Sequence, residues 1–320
     1  MAKTTEKKIL LSGVKPTGRP HIGNYFGAMK QFVDLQNDFS GLYMLADYHA
    51  LNFIQNKKEM QDNIIDLALD YLAIGLDPER SIIFRQSDVS AHTELAWIFD
   101  TVTTMPYLMR AHAFKDAEAK NKEISVGTFN YPILMAADIL LYDTDKVPVG
   151  QDQKQHVEYT RDIAEKFNRI FGETFKLPEP IILPSVQIVP GTDGQKMSKS
   201  YKNTIPLFAT EDEIRKTVMG IVTDSGSGVP VNVRAIHELF RDKNYLDVLY
   251  EKHKGKYKDL KEALIADIEK FIAPLREKRA ELEKDKEGVL KILKKGGEMA
   301  RAIAEKKMEI VKEKIGLKIY

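Results

Sequence analysis

The chain has 320 residues, 43% hydrophobic and 30% charged, with 19 Gly and 13 Pro, a globular composition and a length that suggests two domains. No apolar run approaches the ~18–20 residues of a membrane span, and the polar start MAKTTEKKIL lacks a secretory core, so a cytoplasmic location without membrane attachment is expected. Zero cysteines remove disulfides, thiolate metal sites, Fe–S clusters and cysteine nucleophiles together. The net charge of +1 hides an asymmetry: residues 251–320 hold 20 basic against 14 acidic side chains, a net +6, which leaves −5 for the rest. A basic final quarter suits a polyanion such as RNA, and equally suits solvated helices with lysine on their outer faces.

Along the chain, Ile9-Leu10-Leu11-Ser12-Gly13 reads as a buried strand feeding a glycine-rich loop. Residues 24–37 then carry Tyr25, Met29, Phe32, Val33 and Gln36 at helical spacing. Leu42 to Ala46 is a second buried strand, Lys58 to Ile74 an amphipathic helix closed by Gly75 and Pro78, and Ser81 to Arg85 a third strand. Strands separated by helices of this length imply right-handed crossovers and a doubly wound parallel sheet, so the fold class is α/β. Past residue 206 the pattern turns helical, over 211–221, 232–240, 257–279 and 286–315. The division is therefore a Rossmann-like α/β domain at 1–206 and a mostly helical domain at 207–320, whose closing helix can return to the first. Lys/Glu-rich stretches near the end are interrupted by Gly288, Gly296 and Gly297, which favours packed helices over a coiled coil.

Two segments carry chemistry. Gly13 to Asn24 joins the first strand to the first helix, the position where open parallel sheets bind ligands. Gly18 and Gly23 allow close backbone approach, and His21 and Asn24 place polar groups where a phosphate would meet a helix N-terminus. The segment is neither a Walker A loop nor GxGxxG. The second, Lys196-Met197-Ser198-Lys199-Ser200, sets two lysines three apart in a Gly/Ser-rich loop, able to fold over a triphosphate or simply to stay solvated.

HIGN after the first strand and KMSKS about 175 residues later form the paired signature of class I aminoacyl-tRNA synthetases. With PTGRPHIGNYFGAMKQ, YMLADYHAL, the long stretch FNYPILMAADILLYDTDKVPVGQDQKQHVEYTRDIAEKFN and the tail ARAIAEKKMEIVKEKIGL, the chain resembles bacterial-type tryptophanyl-tRNA synthetases nearly end to end. The resemblance implies ATP-dependent attachment of L-tryptophan to tRNA(Trp) through an adenylate, with ATP entering as its Mg²⁺ complex, no dedicated protein metal site, and a homodimer that binds no DNA. It implies catalytic roles for His21, Asn24, Lys196, Lys199 and Lys115. ATP contacts fall to Lys15, Pro16, Thr17, Gly18, Gly23, Asn24, Gly150, Gln151, Asp152 and the run Lys196, Met197, Ser198, Lys199, Ser200. A tryptophan pocket is implied at Asp138, His49, Tyr131, Met135, Val147, Val149, Gln153 and Leu11.

On a helix expected from about Pro132 to Tyr142, Asp138 shares a face with Met135, Leu134 and Tyr131. A carboxylate in an apolar pocket must find a donor, and in the family this is the indole N–H; a buried ion pair is the plainer alternative. His156 is assigned a structural role and Trp97 the core. Two departures stand out: Lys15 where many relatives carry Gln, and Ala117 where many carry the second lysine of FKDKS. Lys15 is therefore a candidate to restore the missing charge. A tyrosyl-tRNA synthetase, a nucleotidylyltransferase of the HIGH group and a non-catalytic paralogue that binds RNA or protein remain the competing readings.

Overall fold

The computed structural model describes residues 7–111, 114, 115, 118, 124–150, 153–182, 189–223 and 228–320. Five parallel strands form its sheet: β1 (Ile9–Val14), β2 (Ser40–Leu45), β3 (Ser81–Arg85), β4 (Lys146–Val149) and β5 (Glu179–Ile182), in the order β3-β2-β1-β4-β5. The first three lie where the buried apolar runs place them, while the short β4 and β5 extend the sheet beyond them. Winding reverses between β1 and β4, so the crevice at their carboxyl ends is the switch point where such sheets bind ligands.

Alternation along each strand splits the core in two. Leu10, Tyr43, Leu45 and Ile83 enter one apolar cluster, and Leu11, Leu42, Met44 and Phe84 enter the other. Against the first face pack α1 (Ile22–Asn24), a π-type turn at Tyr25–Met29, α2 (Lys30–Leu35) and α4 (Lys57–Ala73); α3 (Asp47–Ala50) is a single turn after β2. The second face takes α5 (Ala91–Val102), α7 (Val126–Leu140) and α8 (Lys154–Phe171), with the short α6 (Met105–Leu108) beside them. The helix bearing Asp138 begins earlier than Pro132 suggests. Ser125 caps it by accepting from Thr128 N, and Pro132 sits inside at the seventh position.

After 206 come α9 (Glu211–Met219), α10 (Val231–His237), α11 (Lys243–Lys252), α12 (Tyr257–Lys284) and α13 (Lys286–Lys314). The sequence pattern misses α11, which Asp242 caps through Tyr245 N. These helices keep only a small cluster of their own, Leu246, Tyr250 and Leu260, and otherwise share the main core. Ile214, Val233, Ile236, Leu264 and Ile268 belong to the same cluster as Leu10 and Tyr43, and Phe26 stacks on Phe271 with centroids 5.4 Å apart. Arg279 on α12 reaches back to Asp70 (2.6 Å) and Asp66 (2.7 Å) on α4. The last helix, α13, lies across β3. A Cβ at Gly296 would come within 1.9 Å of the Ile83 carbonyl oxygen, so glycine here permits backbone contact between helix and strand. Among the described residues, no helix is long and apolar enough to cross a membrane.

Candidate active site

One end of the crevice is built on the loop after β1. His21 has extended backbone and caps α1: its Nδ1 accepts from Asn24 N at 3.3 Å, and Asn24 Oδ1 accepts from His21 N at 3.1 Å. An accepting Nδ1 means a neutral ring with its proton on Nε2. Burial, helped by the Lys199 charge, pulls the His21 pKa down to about 4. A Cβ at Gly23 would stand 2.8 Å from that Nδ1, so a side chain there would displace the capping ring. Gly18, at φ +89°, turns the loop through a conformation that favours glycine.

The KMSKS segment is stitched to this loop. Ile22 N donates to Ile205 O (3.0 Å), Leu207 N donates to Pro20 O (2.9 Å), and Lys199 Nζ donates to Thr17 O (3.0 Å) and Gly18 O (2.8 Å). Met197 is buried, whereas Lys196, Lys199 and Ser200 are exposed. Asn203, which the sequence reading missed, organises the turn from inside. Its Oδ1 accepts from Ser198 N at 2.8 Å, and its Nδ2 donates to Asp193 Oδ1 (2.7 Å) and Lys196 O (3.1 Å). Lys15 is exposed, with its ammonium 4.6 Å above the Phe53 ring. Pro16 is buried, and Thr17 N donates to Lys15 O.

The end around Asp138 is buried and wired side chain to side chain. Asp138 is 2% exposed, and among the described residues two hydrogen bonds and one close contact from His92 reach its carboxylate. His49 Nε2 lies 2.9 Å from Oδ2, with Gln86 Nε2 at 2.8 Å and His92 Nδ1 at 2.6 Å from Oδ1. Burial alone would raise the Asp138 pKa; His92 and His49 outweigh it and hold the group down at about 2, so it is ionised. The chain thus already supplies partners to this carboxylate, as the buried-pair alternative has it, beside any donor a substrate brings. A carboxylate accepts at about four positions, so one remains. Gln86 is fully buried, and its Oε1 accepts from Tyr48 N (3.1 Å) and His49 N (3.4 Å) at the start of α3. It thus ties the helix carrying His49 to Asp138.

Tyr131 stands on the same face of α7, its ring 6.2 Å from that of His49, and its hydroxyl meets His156 Nε2. His156 is buried against Tyr131. Leu11, Val147 and Val149 are buried in one apolar cluster with α7, and Met135 packs half-buried against it. Gly150 O accepts from Gln153 N at 2.9 Å, which sets the turn into α8. Lys115 is exposed beside Phe114, whose ring packs edge-on to Phe129. Gln151, Asp152 and Ala117 lie outside the described residues. Trp97 is not core: it is 71% exposed on α5, because the inward positions of that helix go to Leu95, Ile98 and Phe99.

The structure thus presents a parallel-sheet crevice with a neutral histidine cap and two exposed lysines at one end and a buried, ionised aspartate at the other. The family model for class I tRNA synthetases (W and Y) matches residues 3–286. The chain belongs to this family. Within it, the synthetase is 49% identical to a tryptophan–tRNA ligase of Fusobacterium nucleatum, covering 96% of this chain and 97% of that protein. It is 45% identical to the Rhodopirellula baltica tryptophan–tRNA ligase over 97% and 99% of the two chains. A crystal structure of the Campylobacter jejuni tryptophanyl-tRNA synthetase, complexed with ADP and tryptophan, superimposes with a TM-score of 0.90 at 43% identity. That match covers 97% of this chain and 100% of the other.

Proposed function

We infer that the chain is a tryptophan–tRNA ligase. The tryptophan carboxylate attacks the α-phosphorus of ATP and pyrophosphate leaves; the ribose 2′-hydroxyl of tRNA(Trp) then takes the aminoacyl group and AMP leaves. The observation that carries the substrate assignment is Asp138, ionised and buried with one acceptor position left over, in a chain similar to tryptophan–tRNA ligases over nearly its whole length. An indole N–H fits that position, whereas phenylalanine brings no donor. Sites built for a donor reject analogues lacking it by roughly 10⁴–10⁵-fold.

Each site residue then has a task. The Lys15–Asn24 loop receives the triphosphate. Lys196 and Lys199 neutralise charge that builds on the departing pyrophosphate, Lys199 by exchanging the Thr17 and Gly18 carbonyls for phosphate oxygens. His21 presents Nε2–H while its Nδ1 fixes the turn. Lys115, Gly150, Gln151 and Asp152 serve ATP, with Mg²⁺ carried by the nucleotide. Tyr131, Met135, Val147, Val149, Leu11 and His49 line the indole slot, and Gln153 holds the α-amino end. No protein nucleophile is needed; catalysis is positioning plus electrostatics.

The region from 207 onward recognises the anticodon, supported by the net +6 of residues 251–320. A homodimer is supported by Trp97, Met105 and Val126, which are 71%, 67% and 78% exposed on the neighbouring helices α5, α6 and α7. The chain works in the cytoplasm. ATP–pyrophosphate exchange with each of the twenty amino acids tests the assignment. Exchange with tryptophan alone supports it, exchange with tyrosine moves the chain to the sister specificity, and silence from folded protein makes it a non-catalytic paralogue.

A further inference from the structure

At Asp138 Oδ1, the oxygen that His49 does not meet, begins a pair of fully buried groups to which the proposed reaction gives no task. His92 is 0% exposed in the first turn of α5, and Tyr142 is 1% exposed just beyond α7. The Tyr142 hydroxyl lies 2.8 Å from His92 Nε2, and His92 Nδ1 lies 2.6 Å from Asp138 Oδ1. The imidazole lies nearly parallel to the Phe84 ring, with an interplanar angle of 21°.

The partners assign the tautomer. A carboxylate can only accept, so Nδ1 carries the proton. Burial, and the nearby Asp138 charge, keep the Tyr142 phenol protonated, so its O–H donates to Nε2. The row Tyr142–His92–Asp138 therefore holds the Nδ1 edge of the ring against Oδ1 at 2.6 Å, a close polar contact whose angle falls outside hydrogen-bond geometry. His92 and Gln86 hold Oδ1 between them, and His49 holds one position on Oδ2. The free acceptor position then belongs to Oδ2, on the oxygen that meets His49.

We propose that His92, set by Tyr142, is a specificity-positioning residue. By occupying Oδ1 of Asp138 it aims the remaining acceptor at the ring N–H of the amino-acid substrate. This rests on the tryptophan reading of the pocket and deepens it. Without the His92 ring against Oδ1 the carboxylate can rotate or take up a proton, and a neutral, unaimed acid no longer separates a ring that donates from one that does not.

The test compares kcat/KM in ATP–pyrophosphate exchange for tryptophan and for 3-benzothienylalanine, in which sulfur replaces the indole N–H. If the wild type shows no preference for tryptophan, the pocket reading fails before His92 is in question. Given that preference, His92→Leu narrows it by about 10-fold or more, the scale of losing one polar partner of a charged group, while the value for the sulfur analogue stays nearly constant. His92→Asn, which keeps an amide N–H near the place of Nδ1, restores most of the preference. Tyr142→Phe, which removes a single hydroxyl and keeps the ring, narrows it by about 3-fold and decides the matter if His92→Leu does not fold. An unchanged ratio with both substrates slowed equally, or no restoration by His92→Asn, makes His92 a packing residue and overturns the proposal.

Discussion

At the amino-acid end of the crevice the side chains hold one another. Asp138, His49, His92, Gln86 and Tyr142 form a network in which each member is at most 9% exposed. At the phosphate end Lys196 reaches solvent, and Lys199 rests on two backbone carbonyls that any phosphate oxygen could outcompete. On the proposed function, the difference follows from what each end must do. Reading a ring nitrogen calls for a fixed, desolvated acceptor, and a buried network supplies it before substrate arrives. Neutralising a departing pyrophosphate calls for charge that follows the group as it moves, so long side chains on an exposed loop suit it.

The comparison breaks first at Lys199. Lys199→Met should slow tryptophan-dependent exchange by about 10²–10³-fold, while calorimetric binding of tryptophan without ATP stays unchanged; an equal loss of tryptophan binding would show that the two ends are not separate. Gln86→Leu strands the His49 N–H and one acceptor position of Asp138, and leaves Tyr48 N to Asp47 Oδ1 alone, so a denaturant midpoint should report a loss of about 2–4 kcal/mol. Lys199→Met should leave that midpoint nearly untouched. Asn203→Ala releases Ser198 N and Lys196 O, and should raise KM for ATP by about 10-fold without altering the preference among amino acids.

The smallest effect is in pH. His21 titrates at about 4 in the fold against an ordinary 6.5, so the unfolded chain takes the proton first. Stability should fall as pH drops from 6.5 to 4 and stop responding to this group below that; the drop should be shallower in His21→Asn. Asp138, held at about 2 against an ordinary 3.8, adds a second loss between those values.

Much of this was legible in the sequence, and what was not has a common cause. The first three strands are buried apolar runs and declare themselves. The strand Lys146–Val149 is four residues long with a proline inside, and Glu179–Ile182 alternates too little to be seen. Asp138, His49, His21 and the KMSKS lysines come forward because their residue types stand in marked motifs. Gln86, His92 and Asn203 carry no such mark. Positions 49, 86, 92 and 138 meet only because the sheet brings α3, the end of β3, α5 and α7 to one point. The one available hint was the polar run Gln86-Ser87-Asp88 at the carboxyl end of a buried strand, where α/β sheets bind ligands. Trp97 misled for the opposite reason: a large apolar residue invites burial, yet its place on α5 faces outward.

The most direct test of the account is the tryptophan to 3-benzothienylalanine ratio of kcat/KM in the wild type and in Asp138→Asn. The account predicts a preference of at least about 10²-fold in the wild type, collapsing to within about 10-fold in the variant as tryptophan alone loses its partner. An equal preference in both proteins would contradict it, and would place the reading of the ring nitrogen on a residue other than Asp138.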